Sequence, residues 1–108
     1  MKDYFNYKSD DEIRRHTVSV SVCYEVYERL FPDTSLKMRY ALTTNFNEKT
    51  LIRSIKNGDE TSGEYRITCF LNKKEYDKLY NVTNEFGMGT VNYLSKLLLN
   101  YLYKKGEM

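Results

Sequence analysis

Two glycines separated by one residue, Gly87 and Gly89, stand where two apolar stretches of the chain meet. A Gly-x-Gly pair before a helix is typical of a turn that holds a nucleotide phosphate. That fingerprint requires a strand directly before it and a third glycine, whereas here the pattern predicts a preceding helix and Asn92 stands at the third position. We therefore interpret Gly87 as the end of one helix and Gly89 as part of the start of the next.

Histidine and cysteine, which often perform catalysis or bind metals, are few. The chain has one histidine, His16, and two cysteines, Cys23 and Cys69, without Cys-x-x-Cys spacing. A Ser-His-Asp triad has only His16 to use, and the spacing argues against a metal site. The chain is predicted not to be an enzyme and to need no cofactor or metal, although composition alone leaves a tyrosine nucleophile open. Both cysteines fall in alternating runs, where a buried thiol is expected more often than a reactive one.

The overall composition describes a small globular protein. Hydrophobic residues make up 41% of the 108 residues, charged residues 30%, and the formal net charge is +2. A charge so near zero neither supports nor excludes nucleic-acid binding, so the placement of basic residues decides. The sequence has no apolar run typical of a signal peptide and no stretch of about 20 apolar residues. The expected location is the cytoplasm, without membrane contact.

The sequence pattern divides the chain into three regions. Residues 1–15 are polar and read as an N-terminal arm. Residues 16–62 begin with a strand-like alternation over 17–27, in which Val26 and Leu30 also have helical spacing and so allow an earlier end of the strand. They continue with mixed helix and strand character. The polar loop NGDETSG marks the boundary to the third region, residues 63–108.

The C-terminal region has the sharpest pattern. The alternation over residues 65–71 predicts a strand with one buried face. Asn72 and Glu75 have the spacing of a capping box, and the apolar periodicity after them predicts an amphipathic helix over about 73–86. A second apolar helix is predicted over 90–105, with cations at its C-terminal end.

This order of strand, helix, glycine turn (EFGMGT) and second helix resembles the ribbon-helix-helix family of MetJ, Arc and CopG repressors over residues 65–102. The resemblance implies an α+β fold in which two such units pair their strands antiparallel into a ribbon. The second unit comes either from another chain or from a tandem copy. In this family the ribbon enters the major groove of double-stranded DNA.

The resemblance assigns DNA contacts residue by residue. Arg66 is placed to donate two hydrogen bonds to guanine, Thr68 to donate or accept one, and Phe70 to touch a thymine methyl group. Phe70 departs from the family, which usually has a polar side chain at this position, and packing of Phe70 on the protein itself is the alternative to a thymine contact. The competing interpretation is that these side chains form the solvated face of an edge strand.

A phosphate contact is implied at the start of the second helix. The backbone N–H groups of Gly89, Thr90 and Val91 would point at a DNA phosphate, at the positive end of the helix dipole.

The C-terminal region has more apolar residues than a single strand and two helices can bury, so something else must cover them. We consider two alternatives. One is a homodimer, which we predict to have the following interface residues: Ile67, Cys69, Leu94, Leu97, Leu98 and Leu102. In the other, the N-terminal half covers them, either as a degenerate second copy over 17–46 or as a small β-meander. A second copy would add Thr17, Ser19 and Ser21 to the ribbon.

The sequence thus favours a sequence-specific DNA-binding protein, either a transcriptional repressor or a plasmid or phage accessory factor. The alternative is a small inhibitor encoded by a mobile element, of the anti-CRISPR type, that binds a host protein. The 11 tyrosines support that alternative, because tyrosine is favoured at protein interfaces.

Overall fold

The fold is organised by two antiparallel strands that come from the two halves of the chain. The computed structural model describes residues 13–44, 47–57 and 59–108. Together these residues form an α+β domain of two strands and five helices, in agreement with the expected fold class. The elements are β1 (Arg14–Val22), α1 (Tyr24–Leu30), α2 (Thr34–Thr44), α3 (Glu48–Asn57), β2 (Tyr65–Asn72), α4 (Lys73–Glu85) and α5 (Val91–Lys104).

The two strands form a two-stranded sheet whose register runs from Arg14 opposite Asn72 to Val22 opposite Tyr65. Every second residue faces the core, because successive side chains of a strand point to opposite faces. The buried residues of the ribbon are Val18, Val20, Val22, Ile67, Cys69 and Leu71. The strand predicted over 65–71 therefore finds its partner in the same chain, since three helices and a loop return the chain antiparallel to β1.

The residues predicted at a dimer interface are buried inside the single chain. None of them is more than 3% exposed: Ile67, Cys69, Leu94, Leu97, Leu98 and Leu102. Helix α5, which contains the four leucines, packs against β1, α2 and α3 as well as α4. The N-terminal half thus covers the apolar surface, and a second chain is not required to bury it. Homodimerisation stays a prediction.

The N-terminal half differs in detail from the sequence prediction. β1 begins at Arg14, inside the predicted arm, and ends at Val22, as the helical spacing of Val26 and Leu30 allowed. It ends there because Val26 and Leu30 are spaced for one helix face, and both are buried in α1. Helices follow where a β-meander was an alternative, so the described residues form no meander. Residues 1–12 of the predicted arm and residues 45–46 of the possible second copy lie outside the described ranges.

Helix α4 is bounded as its sequence predicts. The Asn72 side chain accepts a hydrogen bond from the backbone N–H of Glu75 at 2.8 Å, and the Glu75 carboxylate accepts one from the Asn72 N–H at 3.0 Å. At the other end Gly87 has φ 63°, a left-handed conformation that glycine adopts without strain. The N–H of Met88 donates to the carbonyl of Thr83 at 2.9 Å, which completes a Schellman motif.

The two strands and four of the helices pack as two interlocked halves. Helix α2, which follows β1 and α1, packs on β2, whereas α5, which follows β2 and α4, packs on β1. Helix α1 also contacts β2, and α4 contacts β1. Each half therefore covers the strand of the other, and the strand residues and helix faces form one continuous core. In the described ranges no helix is both long and apolar enough to cross a membrane.

The loop between α3 and β2 is attached to α5. The buried Asn100 donates from Nδ2 to the carbonyl oxygens of Asp59 at 2.7 Å and Thr61 at 2.9 Å. The Asp59 carboxylate accepts a hydrogen bond from the Thr61 N–H at 2.8 Å, and the hydrogen bonds from Thr61 hold its pKa below the usual value. Residues 59–61 of this connection are thus anchored to α5.

Candidate nucleic-acid interface

One face of the β1–β2 ribbon is turned away from the core. It carries three cross-strand pairs, in which Thr17 lies opposite Phe70, Ser19 opposite Thr68, and Ser21 opposite Arg66. We call these six residues the outer ribbon face. The sequence placed Arg66, Thr68 and Phe70 on one such face, and the structure brings Thr17, Ser19 and Ser21 onto the same face.

The outer ribbon face is accessible over its whole length. Thr17, Arg66 and Phe70 are exposed, with 49% of Phe70 accessible. Ser19 and Thr68 are half-buried at its centre, and their hydroxyl oxygens lie 2.7 Å apart in a hydrogen bond. About half of the Phe70 side chain is therefore accessible to an external apolar group.

The Arg66 end of the outer ribbon face opens into a polar recess of about 340 Å³. Within the described part of the chain, the Arg66 guanidinium has no ion-pair partner. Lys96 of α5 reaches the same recess and donates from Nζ to the Ser62 hydroxyl at 3.0 Å. Asn92, also of α5, accepts a hydrogen bond from the backbone N–H of Ser19 at 3.2 Å. The recess therefore presents two cations and several hydroxyl groups beside the ribbon.

The Phe70 end has a different environment. Phe70 lines a recess with Ser35, Leu36 and Arg39 of α2. Leu36 is 61% exposed, so the apolar surface continues from the strand onto the helix. Arg39 is held by the Glu75 carboxylate through hydrogen bonds of 3.3 Å and 2.5 Å. Its charge is therefore largely balanced, and this end of the ribbon is less cationic than the Arg66 end.

The start of α5 differs in part from the predicted phosphate contact. Thr90 is the N-cap and accepts a hydrogen bond from the backbone N–H of Tyr93 at 3.1 Å. The N–H of Thr90 itself donates to the carbonyl of Met88 at 3.1 Å. At most the N–H groups of Gly89 and Val91 are thus left for a phosphate. Gly89 has φ 89°, and the space around its Cα is open, which allows close approach.

Stacked aromatic side chains flank both ends of the ribbon. At one end His16 stacks on Tyr76 with ring centroids 4.9 Å apart, and Tyr80 lies 6.3 Å beyond. At the other end Tyr65 stacks on Tyr27 at 4.8 Å, and Phe31 lies 5.9 Å beyond. The single histidine of the chain is therefore part of an aromatic stack.

The two cysteines differ in their burial. Cys69 is fully buried, and this burial raises its pKa to about 12, so the thiolate is not formed near neutral pH. Cys23 is a half-buried free thiol at the start of α1. The residues that the structure describes contain no group of three His, Cys, Asp or Glu side chains that could hold a metal ion.

Sequence reasoning missed the residues that flank the ribbon. Asn92 and Lys96 stand four residues apart on α5 and so share one helix face, a signal that the sequence contained. No such signal marked Ser62, which lies in a polar loop. None marked Arg39, whose surrounding sequence had both helix and strand character. Comparison of the chain with protein-family models, with curated proteins and with solved structures found no match.

Proposed function

We propose that this chain binds double-stranded DNA by inserting the outer ribbon face into the major groove, as a single-chain version of a ribbon-helix-helix dimer. The observation that supports this most is the convergence of six outward side chains on one antiparallel ribbon. Five of the six are hydroxyl or guanidinium groups that can hydrogen-bond to base edges, and Phe70 can contact thymine methyl groups.

The packing pattern supports a tandem of two units. In a symmetric dimer the second helix of each unit packs on the partner's strand, and here α2 packs on β2 and α5 on β1. The central pair, Ser19 and Thr68, is separated by 49 residues. The same spacing relates residues of the two aromatic stacks: His16 to Tyr65, Tyr27 to Tyr76, and Phe31 to Tyr80.

The shape and charge of this surface suit DNA. A two-stranded ribbon fits the major groove, which is about 12 Å wide. Beside the ribbon, Lys96 can neutralise a phosphate, and the start of α5 adds backbone N–H groups at the positive end of its dipole. The role we propose is that of a cytoplasmic transcriptional repressor or of a plasmid or phage accessory factor.

The proposal is tested by fluorescence anisotropy with duplex DNA from upstream of its own gene and with a random-sequence duplex, at low salt. We expect binding that weakens as salt rises, because binding releases counterions from the DNA and this release becomes less favourable at higher salt concentration. Arg66→Ala should weaken specific binding by about five- to 150-fold, the value of one bidentate base contact. No binding to either duplex at low salt would end the proposal.

Lys105→Ala provides a matched control for Arg66→Ala. Lys105 is exposed at the C-terminal end of α5, a 14-residue helix and therefore about 20 Å from the helix start that flanks the ribbon. This variant also removes one positive charge, so it reports the non-specific effect of net charge. Equal losses in the two variants would contradict base reading by Arg66.

A second candidate function, binding to a host protein, is favoured by exposed aromatic side chains beside the ribbon. Tyr24, Phe31 and Tyr80 are 50%, 57% and 47% exposed, and aromatic residues are enriched in interface hot spots. The test is affinity capture from a nuclease-treated host lysate. A stoichiometric protein partner that survives nuclease, together with absent DNA binding, would favour this function over the first.

A further inference from the structure

The two halves of the outer ribbon face are chemically different. Ser19 and Thr68 form the central pair, and both carry a hydroxyl group. On one side of this pair Ser21 lies opposite Arg66, and on the other side Thr17 lies opposite Phe70. In a ribbon made from two identical chains these two flanking pairs would have the same residues, because the two-fold axis passes through the centre.

The surroundings of the ribbon increase this difference. The Arg66 half adjoins the recess that contains Lys96 and the Ser62 hydroxyl, where the positive charge of Arg66 has no acidic partner among the described residues. The Phe70 half adjoins Leu36, and its nearest cation, Arg39, is paired with Glu75. One half is therefore polar and cationic, and the other is apolar with its charge balanced.

We infer, on the basis of the proposed function, that one copy of this chain reads a non-palindromic duplex in a fixed orientation. The Arg66 half selects a G·C pair, because guanine offers two acceptors to a guanidinium in the major groove. The Phe70 half selects A·T pairs whose thymine methyl groups meet the exposed ring. A homodimeric ribbon reads inverted repeats instead, since its two halves are the same.

The experiment is selection of bound duplexes from a pool with a randomised central segment, using the full chain at low salt, followed by sequencing. The expected motif has no inverted symmetry, with a conserved G·C pair on one side of its centre and A·T pairs on the other. An inverted repeat would overturn this inference while leaving DNA binding intact. Absence of any enriched or retained duplex would overturn the proposed function, and this inference with it.

A symmetrised variant gives a second readout. The double substitution Arg66→Thr with Phe70→Ser gives β2 the same series of outward side chains as β1, apart from the central serine and threonine. Because both positions are exposed, the fold should be retained, which circular dichroism checks. The motif selected by this variant should become an inverted repeat, and affinity for the wild-type motif should fall at least about tenfold.

The matched control is Lys105→Thr with Phe86→Ser, which also removes one cation and one exposed aromatic ring, but outside the outer ribbon face. Phe86 is 41% exposed at the C-terminal end of α4, and Lys105 is exposed beyond the end of α5. The control should select the wild-type motif. If the symmetrised variant also selects the unchanged wild-type motif, Arg66 and Phe70 do not set its asymmetry, and the inference is wrong.

Discussion

Ser19 Oγ and Thr68 Oγ1 lie 2.7 Å apart at the centre of the β1–β2 ribbon, where each strand contributes one hydroxyl group to the same hydrogen bond. The two residues face each other in the register and are half-buried. They join the two halves of the chain at the centre of the outer ribbon face.

This central hydrogen bond should contribute modestly to stability. Ser19→Ala leaves the Thr68 hydroxyl without its partner, but the site is half-exposed and water can replace it. We expect the free energy of unfolding to fall by about 0.5–1.5 kcal/mol, measured by urea denaturation. The double variant Ser19→Val with Thr68→Val should be nearly as stable as wild type, because valine favours β-strands and no hydroxyl group remains without its hydrogen-bond partner. A loss above about 3 kcal/mol in the double variant would contradict this account.

Two buried serines should respond in opposite directions to substitution by alanine. Ser54 is fully buried and donates to the carbonyl of Leu51 at 2.8 Å, whereas Ser95 is fully buried and its hydroxyl has no partner in the described part of the chain. Ser54→Ala should cost about 0.5–1.5 kcal/mol. Ser95→Ala should leave stability unchanged or raise it, because a desolvated hydroxyl without a hydrogen bond is itself unfavourable. If Ser54→Ala and Ser95→Ala lowered the Tm in thermal denaturation by the same amount, the result would contradict the burial of an unpaired Ser95 hydroxyl.

Gly63 is expected to tolerate no side chain. A Cβ at Gly63 would lie 2.2 Å from the carbonyl oxygen of Val22 and 2.5 Å from the Cα of Cys23, and both are backbone atoms. Gly63→Ala should therefore displace the loop from the end of β1 and cost about 1–3 kcal/mol or more. Gly87→Ala is the comparison, since open space surrounds Gly87 and only its φ of 63° is unfavourable, at about 1–2 kcal/mol. A Gly63→Ala protein as stable as wild type would show that the loop moves freely.

The fully buried Leu98 distinguishes a core position from a subunit interface. Leu98→Asp would place an unpaired carboxyl group in the core of the chain, at a cost of several kcal/mol that is comparable to the roughly 5–15 kcal/mol that holds small domains folded. We expect an unfolded chain by circular dichroism. Leu36→Asp, at a position 61% exposed on α2, should remain folded.

Light scattering of the same samples tests the predicted homodimer. If Leu98 packed mainly against a second copy, Leu98→Asp would produce a folded monomer. That result would restore the intermolecular ribbon and contradict the core assignment.

Stability should fall in alkaline solution through Cys69. Its folded-state pKa is raised from 9.0 to about 12 by burial, so above pH 9 the unfolded state binds fewer protons than the folded state. Ionisation of this thiol does not affect the free energy of unfolding below pH 9. The free energy of unfolding then falls as pH rises toward 12, by up to about 1.4 kcal/mol per pH unit. The difference in unfolding free energy between wild type and Cys69→Ala isolates this thiol from the tyrosines and lysines that titrate in the same range. A difference that does not change between pH 8 and pH 11 would contradict the burial of the thiol.

Local features of the chain were determined by the sequence alone. The alternation over 65–71 predicted which face of β2 is buried, and side-chain direction in a strand depends only on residue parity. Asn72, Glu75 and Gly87 predicted both ends of α4, because capping and left-handed glycines act between residues close in sequence. The outward positions of Arg66, Thr68 and Phe70 followed from the same alternation.

The partner of β2 was decided only by the tertiary structure. The alternating pattern of β2 fits a second copy of itself as well as it fits β1, so local rules cannot choose between a dimer and a tandem. Closing a loop within one chain costs entropy that grows only slowly with loop length, whereas joining two chains costs about 4–15 kcal/mol of translational and rotational freedom. The end of β1 at Val22 depended in the same way on the burial of Val26 and Leu30 against the rest of the core. Likewise, Lys96 and Ser62 were brought beside Arg66 by the packing of α5 on β1, because contacts between residues distant in sequence exist only once the chain is folded.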